Sequence, residues 1–247
     1  KTYDKINKIL NINRQKSDLI RVNTLCNNDK WKDFGNDTME FYIDFETINS
    51  NMGQCVLSEE DVNYNSNDII FMIGLGYCIN NKWDYKCFII EKNNICEENK
   101  MILSFWNYVD NLLIKNNKSE SIFIHWSNAE PIQYNKLLKR HSNIKNKMHF
   151  FDLYELFTAN SIVVKDALNY SLKSIAKAMY KNNLIKSIWE NNSPCSNGLN
   201  AMLLAYKLYK HNNIVTLDEP TMKDIVYYNT IDCKVLWEIL LFLRMNY

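Results

Sequence analysis

The sequence predicts an α/β fold: a mixed five-stranded sheet flanked by helices. Strand-like runs cluster at Met39–Phe45, Ile69–Tyr77 and Trp83–Glu91, with only CINNK between the second and third. That connection has hairpin length, so these three strands read as antiparallel neighbours. Two further apolar runs, Ile122–Trp126 and Met148–Phe151, alternate with helical stretches. Strands joined through helices pair in parallel, which makes the sheet mixed.

The helices follow from apolar residues three and four apart. Over Glu97–Lys115, Met101, Phe105, Tyr108, Val109 and Leu112 share one face. A second helix opens at Ala129–Pro131, where Pro suits a first turn. Leu153–Ala159, Leu172–Tyr180, Leu199–Tyr209 and Thr221–Leu243 complete the set, and Ser50–Asp68 reads as a polar loop. This order of elements is the ribonuclease H-like plan, which by itself assigns no function. Residues 37–247 form that domain. Residues 1–36 read as a helical extension or a linker from an upstream domain, with Ile6, Ile9 and Leu10 at helical spacing and a second apolar group at Leu19, Ile20 and Val22. The chain opens at Lys1 without Met and so reads as a piece of a longer protein.

Composition narrows the function classes. Of 247 residues, 47% are hydrophobic, enough for a substantial core. The net charge of +1 excludes a broadly cationic nucleic-acid coat, so phosphate binding must be local, through a groove or a bound metal. Seven scattered cysteines without a CxxC pair read as reduced thiols of an intracellular protein. No apolar run reaches the roughly 18 residues of a membrane span, and no signal peptide is visible.

The chemistry begins at FYIDFETINS, residues 41–50. Strand side chains alternate, so Glu40, Tyr42, Asp44 and Glu46 share one face. Asp44 and Glu46 then lie about 6.6 Å apart at the Cα atoms, at a rise of about 3.3 Å per residue. Two ionised carboxylates at that spacing repel unless a cation lies between them, and carboxylate oxygens suit Mg²⁺ or Mn²⁺. Taken alone, the pair reads equally as two surface acids on an edge strand. In the last helix, Ile225, Tyr228, Asp232, Val235 and Ile239 form one stripe. This puts Asp232 on a buried apolar face, where a carboxylate requires either a metal or a Lys or Arg partner. Tyr228 lies one turn before it and projects to the same place. Glu130 sits in the first turn of the helix after Ile122–Trp126, where it either faces a site beside the sheet or simply complements the helix dipole.

With these segments in order, the chain resembles the DnaQ-like or DEDD exonucleases of the ribonuclease H-like superfamily, over about residues 39–243. IDFET (43–47) is similar to the family's first motif, and YNTID (228–232) to the Tyr-x-x-x-Asp motif of the tyrosine subclass. The family's second acid is usually Asp; here Glu130 in HWSNAE aligns with it. A subgroup with Glu there, the ribonuclease H-like domain appended to predicted RecB-family nucleases, also carries features like FDL (151–153), YSLKSIA (170–176) and SNGLNAM (196–202). The resemblance implies 3′–5′ exonucleolytic hydrolysis of DNA, or less readily RNA, at a single-stranded 3′ end. Two Mg²⁺ or Mn²⁺ ions would be held by Asp44, Glu46, Glu130 and Asp232, with Tyr228 orienting the attacking water. An upstream nuclease or helicase domain in the same polypeptide is a further implication.

Other residues carry two readings each. Thr47 is placed to touch a terminal nucleotide. His125 either contacts substrate or orients Glu130, or else packs as a strand histidine, and Trp126 either stacks a base or joins the core. Lys173 either meets phosphate or is solvated. Asp152 is either an additional or supporting carboxylate or a helix N-cap. The basic stretch Lys136–Lys147 either steers nucleic acid or is a solvated face. Two further functions stand beside the exonuclease: a degenerate nuclease fold that only binds nucleic acid or a protein, and an endonuclease of the same fold.

Overall fold

The computed structural model describes residues 2–14, 20–21, 31–48, 68–190 and 192–247. In chain order the elements are α1 (Thr2–Arg14), β1 (Ile20–Arg21), β2 (Thr38–Ile48), β3 (Ile69–Ile79), β4 (Lys82–Ile89) and α2 (Ile95–Lys115). There follow β5 (Glu120–His125), α3 (Ala129–Arg140), β6 (Phe150–Asp152), α4 (Leu153–Ala159) and β7 (Val163–Val164). The chain ends with α5 (Leu172–Lys181), α6 (Gly198–His211) and α7 (Pro220–Asn246).

The main sheet is mixed, five-stranded and flanked by helices, in the order β4-β3-β2-β5-β6. β3 is antiparallel to β2 and β4; β2, β5 and β6 are parallel. The β3–β4 hairpin turns through Asn80 and Asn81, both in the left-handed region (φ 52° and 62°) that a type I′ turn demands. β2 is the central strand, which explains why Phe41 and Ile43 are fully buried. The side chain of Asn94 caps α2 by accepting from Glu97 N (2.9 Å), and Pro220 opens α7.

The β1–β7 ribbon, pairing Ile20 with Val164, was not expected from sequence; two residues are too few to show a period. α1 docks beside it, burying Ile9 and Ile12 against Val163. Leu19, Val22 and the loop 50–67 lie outside the described residues. Trp126 falls just past β5, not within the strand. The described cysteines Cys78, Cys87, Cys96, Cys195 and Cys233 are free. Among the described residues, no helix is long and apolar enough to cross a membrane.

A buried ion cluster joins three elements on the side of the sheet near α2. Glu98 is fully buried and accepts from Ile70 N (2.8 Å) and from Arg140 Nε (2.9 Å) and Nη2 (2.5 Å). His141 Nε2 lies 2.8 Å from the same carboxylate. The start of β3, the first turn of α2 and the end of α3 are thereby tied together.

Candidate metal centre

Asp44 and Glu46 project from the central strand toward α7, which packs across β2 and β3. α7 comes close because β3 carries glycine where it crosses. Gly74 pairs with Asp44 in the sheet, and a Cβ there would lie 1.7 Å from Asn229 Oδ1. A Cβ on Gly76 would lie 2.1 Å from Trp83, whose ring stacks on Trp237 of α7 (5.2 Å, 28°). Glycine inside a strand marks this kind of close approach.

The docked helix brings Asp232 to the strand acids. Ligand oxygens of Asp44, Glu46 and Asp232 lie within 4.8 Å of one another, so this trio could hold a metal ion. Asn229, fully buried one turn before Cys233, orients the first of them. Its Nδ2 donates to Asp44 Oδ2 (2.7 Å) and Asp44 O (3.2 Å), while its Oδ1 accepts from Tyr85 (2.8 Å). Asn229 is not singled out by the sequence, because it fills one of the unspecified positions of Tyr-x-x-x-Asp. The glycines opposite were the available signal.

Glu130 is not part of the 4.8 Å trio, but it is buried beside it, and its charge raises the pKa of Asp44, Glu46 and Asp232. Its Oε2 lies 3.4 Å from His125 Nδ1, and among the described residues neither atom has a hydrogen-bond partner. Asp232 Oδ2 is likewise buried and unpartnered. Unpaired buried oxygens are costly and point to a group that completes them.

The electrostatics agree. Burial raises Asp44 well above the usual carboxylate range, helped by Asp232, Glu46 and Glu130. Burial and then Asp232 raise Glu46, while the Asn229 amide opposes. Asp232 is pushed up to about 7 by burial, against the pull of Lys173 and the polar hydrogens of Trp189 and Tyr228. Tyr228 is raised far above its ordinary value by burial and the three acids, so it suits orienting a water, not deprotonating one. Lys173 is half-buried. Its Nζ lies 4.5 Å from the Tyr228 ring centroid and donates to Ser196 O, and burial lowers its pKa.

The other sequence candidates fall outside the cluster. Asp152 is a cap: its Oδ1 accepts from Tyr154 N and Ser127 N (both 2.8 Å), holding the loop that leads to Glu130. Trp126 packs on Phe157 (5.2 Å) and donates to Tyr170 O (3.0 Å), a structural placement. His125 is buried with its ring edge on Phe150. Thr47 is half-buried just past a register shift in β2.

Gly74→Ala is expected to force Asn229 away from Asp44. Stability should fall by about 1–3 kcal/mol, as for overpacked cores, and affinity for Mn²⁺ should weaken about tenfold. Denaturant unfolding and calorimetric titration check the two halves. Unchanged metal affinity would remove Asn229 from the site.

No family model matches the chain, and neither a curated protein nor a solved structure similar to it was found.

Proposed function

We propose that the chain is a divalent-metal-dependent 3′–5′ exonuclease of the ribonuclease H-like type, acting on single-stranded 3′ ends. The convergence of Asp44, Glu46 and Asp232 beside the unpartnered oxygens of Glu130 and Asp232 carries this reading. An all-oxygen donor set suits Mg²⁺ or Mn²⁺. The sheet order, with only the second strand of the main sheet reversed, supports the ribonuclease H-like assignment. Polarity and substrate rest on the resemblance of IDFET and YNTID to the tyrosine subclass.

Asp44, Glu46, Glu130 and Asp232 would hold the ions, which when bound supply an activated water and neutralise the phosphate. Asn229 fixes the Asp44 carboxylate. The Tyr228 hydroxyl orients the water. Lys173, its Nζ 4.5 Å from the Tyr228 ring centroid, would meet phosphate charge that a chain of net charge +1 cannot neutralise broadly.

The test is end-labelled single-stranded DNA and RNA incubated with Mn²⁺ or Mg²⁺. Stepwise shortening from the 3′ end is expected, lost in Asp44→Ala/Glu46→Ala. Internal cuts on a circular strand would make it an endonuclease. Binding without metal-dependent cleavage would leave a nucleic-acid-binding module, the reading that the position of Glu130 outside the trio favours.

A further inference from the structure

Residues 185–190 form no helix or strand and lie against α7. Glu238 accepts from Lys186 N (2.7 Å), Ser187 N (2.8 Å) and the Ser187 hydroxyl (2.7 Å). Glu190 Oε1 accepts from the Tyr227 hydroxyl (3.2 Å). Residues 186–187 thus sit at position 238 and residue 190 at position 227, so the segment is a strap antiparallel to the helix. The stretch it spans is about 16 Å at about 1.5 Å per residue, and Asp232 lies inside it.

Trp189 falls between the two anchors and is 6% exposed. Among the described residues its indole N–H is buried without a hydrogen-bond partner, and so is Asp232 Oδ2. The indole stands beside the helical turn of Tyr228 and Asp232, because the Lys173 Nζ that lies 4.5 Å from the Tyr228 ring centroid also lies over the indole, 5.4 Å from its centroid. A buried donor and a buried acceptor, both unsatisfied and both against the same stretch of α7, are each costly alone, and a bond between them would satisfy both.

We propose that Trp189 is a positioning residue for Asp232: in the metal-loaded chain its indole N–H donates to Oδ2 and fixes the carboxylate's orientation. Glu238 holds the strap that carries the indole. The inference rests on the metal-centre reading above. Groups that orient a ligand carboxylate change metal affinity by about 10–100-fold when removed.

Trp189→Phe keeps the ring's bulk and removes only the N–H. In EDTA its melting point should equal or exceed that of the parent, because an unsatisfied donor has gone. Calorimetric titration should show Mn²⁺ affinity weaker by about tenfold. The ultraviolet resonance Raman marker of indole N–H hydrogen bonding should shift when Mg²⁺ is added to the parent and stay still in Trp189→Phe. Glu238→Ala should also weaken Mn²⁺ binding, yet add little in the Trp189→Phe background. Mn²⁺ affinity within twofold of the parent would overturn the proposal. So would a metal-free melting point that falls along with affinity, which would assign Trp189 a packing role. No Mn²⁺ binding by the parent chain would instead overturn the metal centre itself, and the proposal with it.

Discussion

Asp232→Asn is expected to abolish metal-dependent cleavage while making the metal-free chain more stable. The activity loss should be about 10²–10³-fold or more, the scale on which a removed charge-stabilising group acts. The stability gain follows from burial. Asp232 is 5% exposed, has an unpartnered oxygen, and its pKa stands at about 7. An unfolded Asp titrates near about 3.9. The folded chain therefore holds a proton that the unfolded chain releases. The share of metal-free stability that this group contributes is full below about pH 4 and is lost as pH rises through about 7.

At pH 8 the substitution should recover about 1–3 kcal/mol, the cost of a buried unsatisfied group. For a chain of this size that is about 2–4 °C in melting temperature per kcal/mol. Melting curves in EDTA between pH 4 and 8 should slope downward for the parent and less steeply for Asp232→Asn, in which burial still raises Asp44 and Glu46. Added Mn²⁺ should raise the parent's melting point, as any ligand of the folded state does, and leave the variant's unchanged. A variant less stable than the parent in EDTA, or one that Mn²⁺ still stabilises, would contradict this account.

Glu98→Ala should produce the largest loss of stability at a site away from the cluster. Its carboxylate is fully buried and is the shared acceptor for Ile70 N, Arg140 and His141. Removing it leaves Arg140 with little exposure and no counter-charge. One partner taken from a buried ion cluster costs about 3–5 kcal/mol. A fall of about 10 °C in melting temperature follows. Arg140→Ala added to Glu98→Ala should cost little more, since the guanidinium has already lost its partner. Urea unfolding of the two single variants and the double checks this. Additive losses would show that the two residues do not act through one another.

Much of this could be read from residue spacing. CINNK announced the hairpin, and the helical period placed α2 and α5 to within about two residues. The stripe from Ile225 to Ile239 put Asp232 on a buried face, and it is buried. The missing parts share a physical reason: they are contacts between residues far apart in sequence, with no local period. The strap at 185–190 is irregular, so Trp189 carried no signal. Glu98 read as an ordinary first-turn acid, because the arginine that fixes it lies 42 residues away. Asn229 was hidden among the unspecified positions of the motif that ends at Asp232. Two glycines in one strand, Gly74 and Gly76, were the only local trace of how closely α7 approaches.

The bond between Asn229 and Asp44 closes a loop of 185 residues. A chain is made from its N-terminus, so Asp44 and Glu46 are in place long before Tyr228, Asn229 and Asp232 exist. Contacts so distant in sequence form late and slowly. A growing or half-folded chain therefore carries two repelling carboxylates and no cradle. Any cut or stop ahead of residue 228 leaves it that way. The order of synthesis itself keeps the acid cluster incomplete until α7 has been made and has docked.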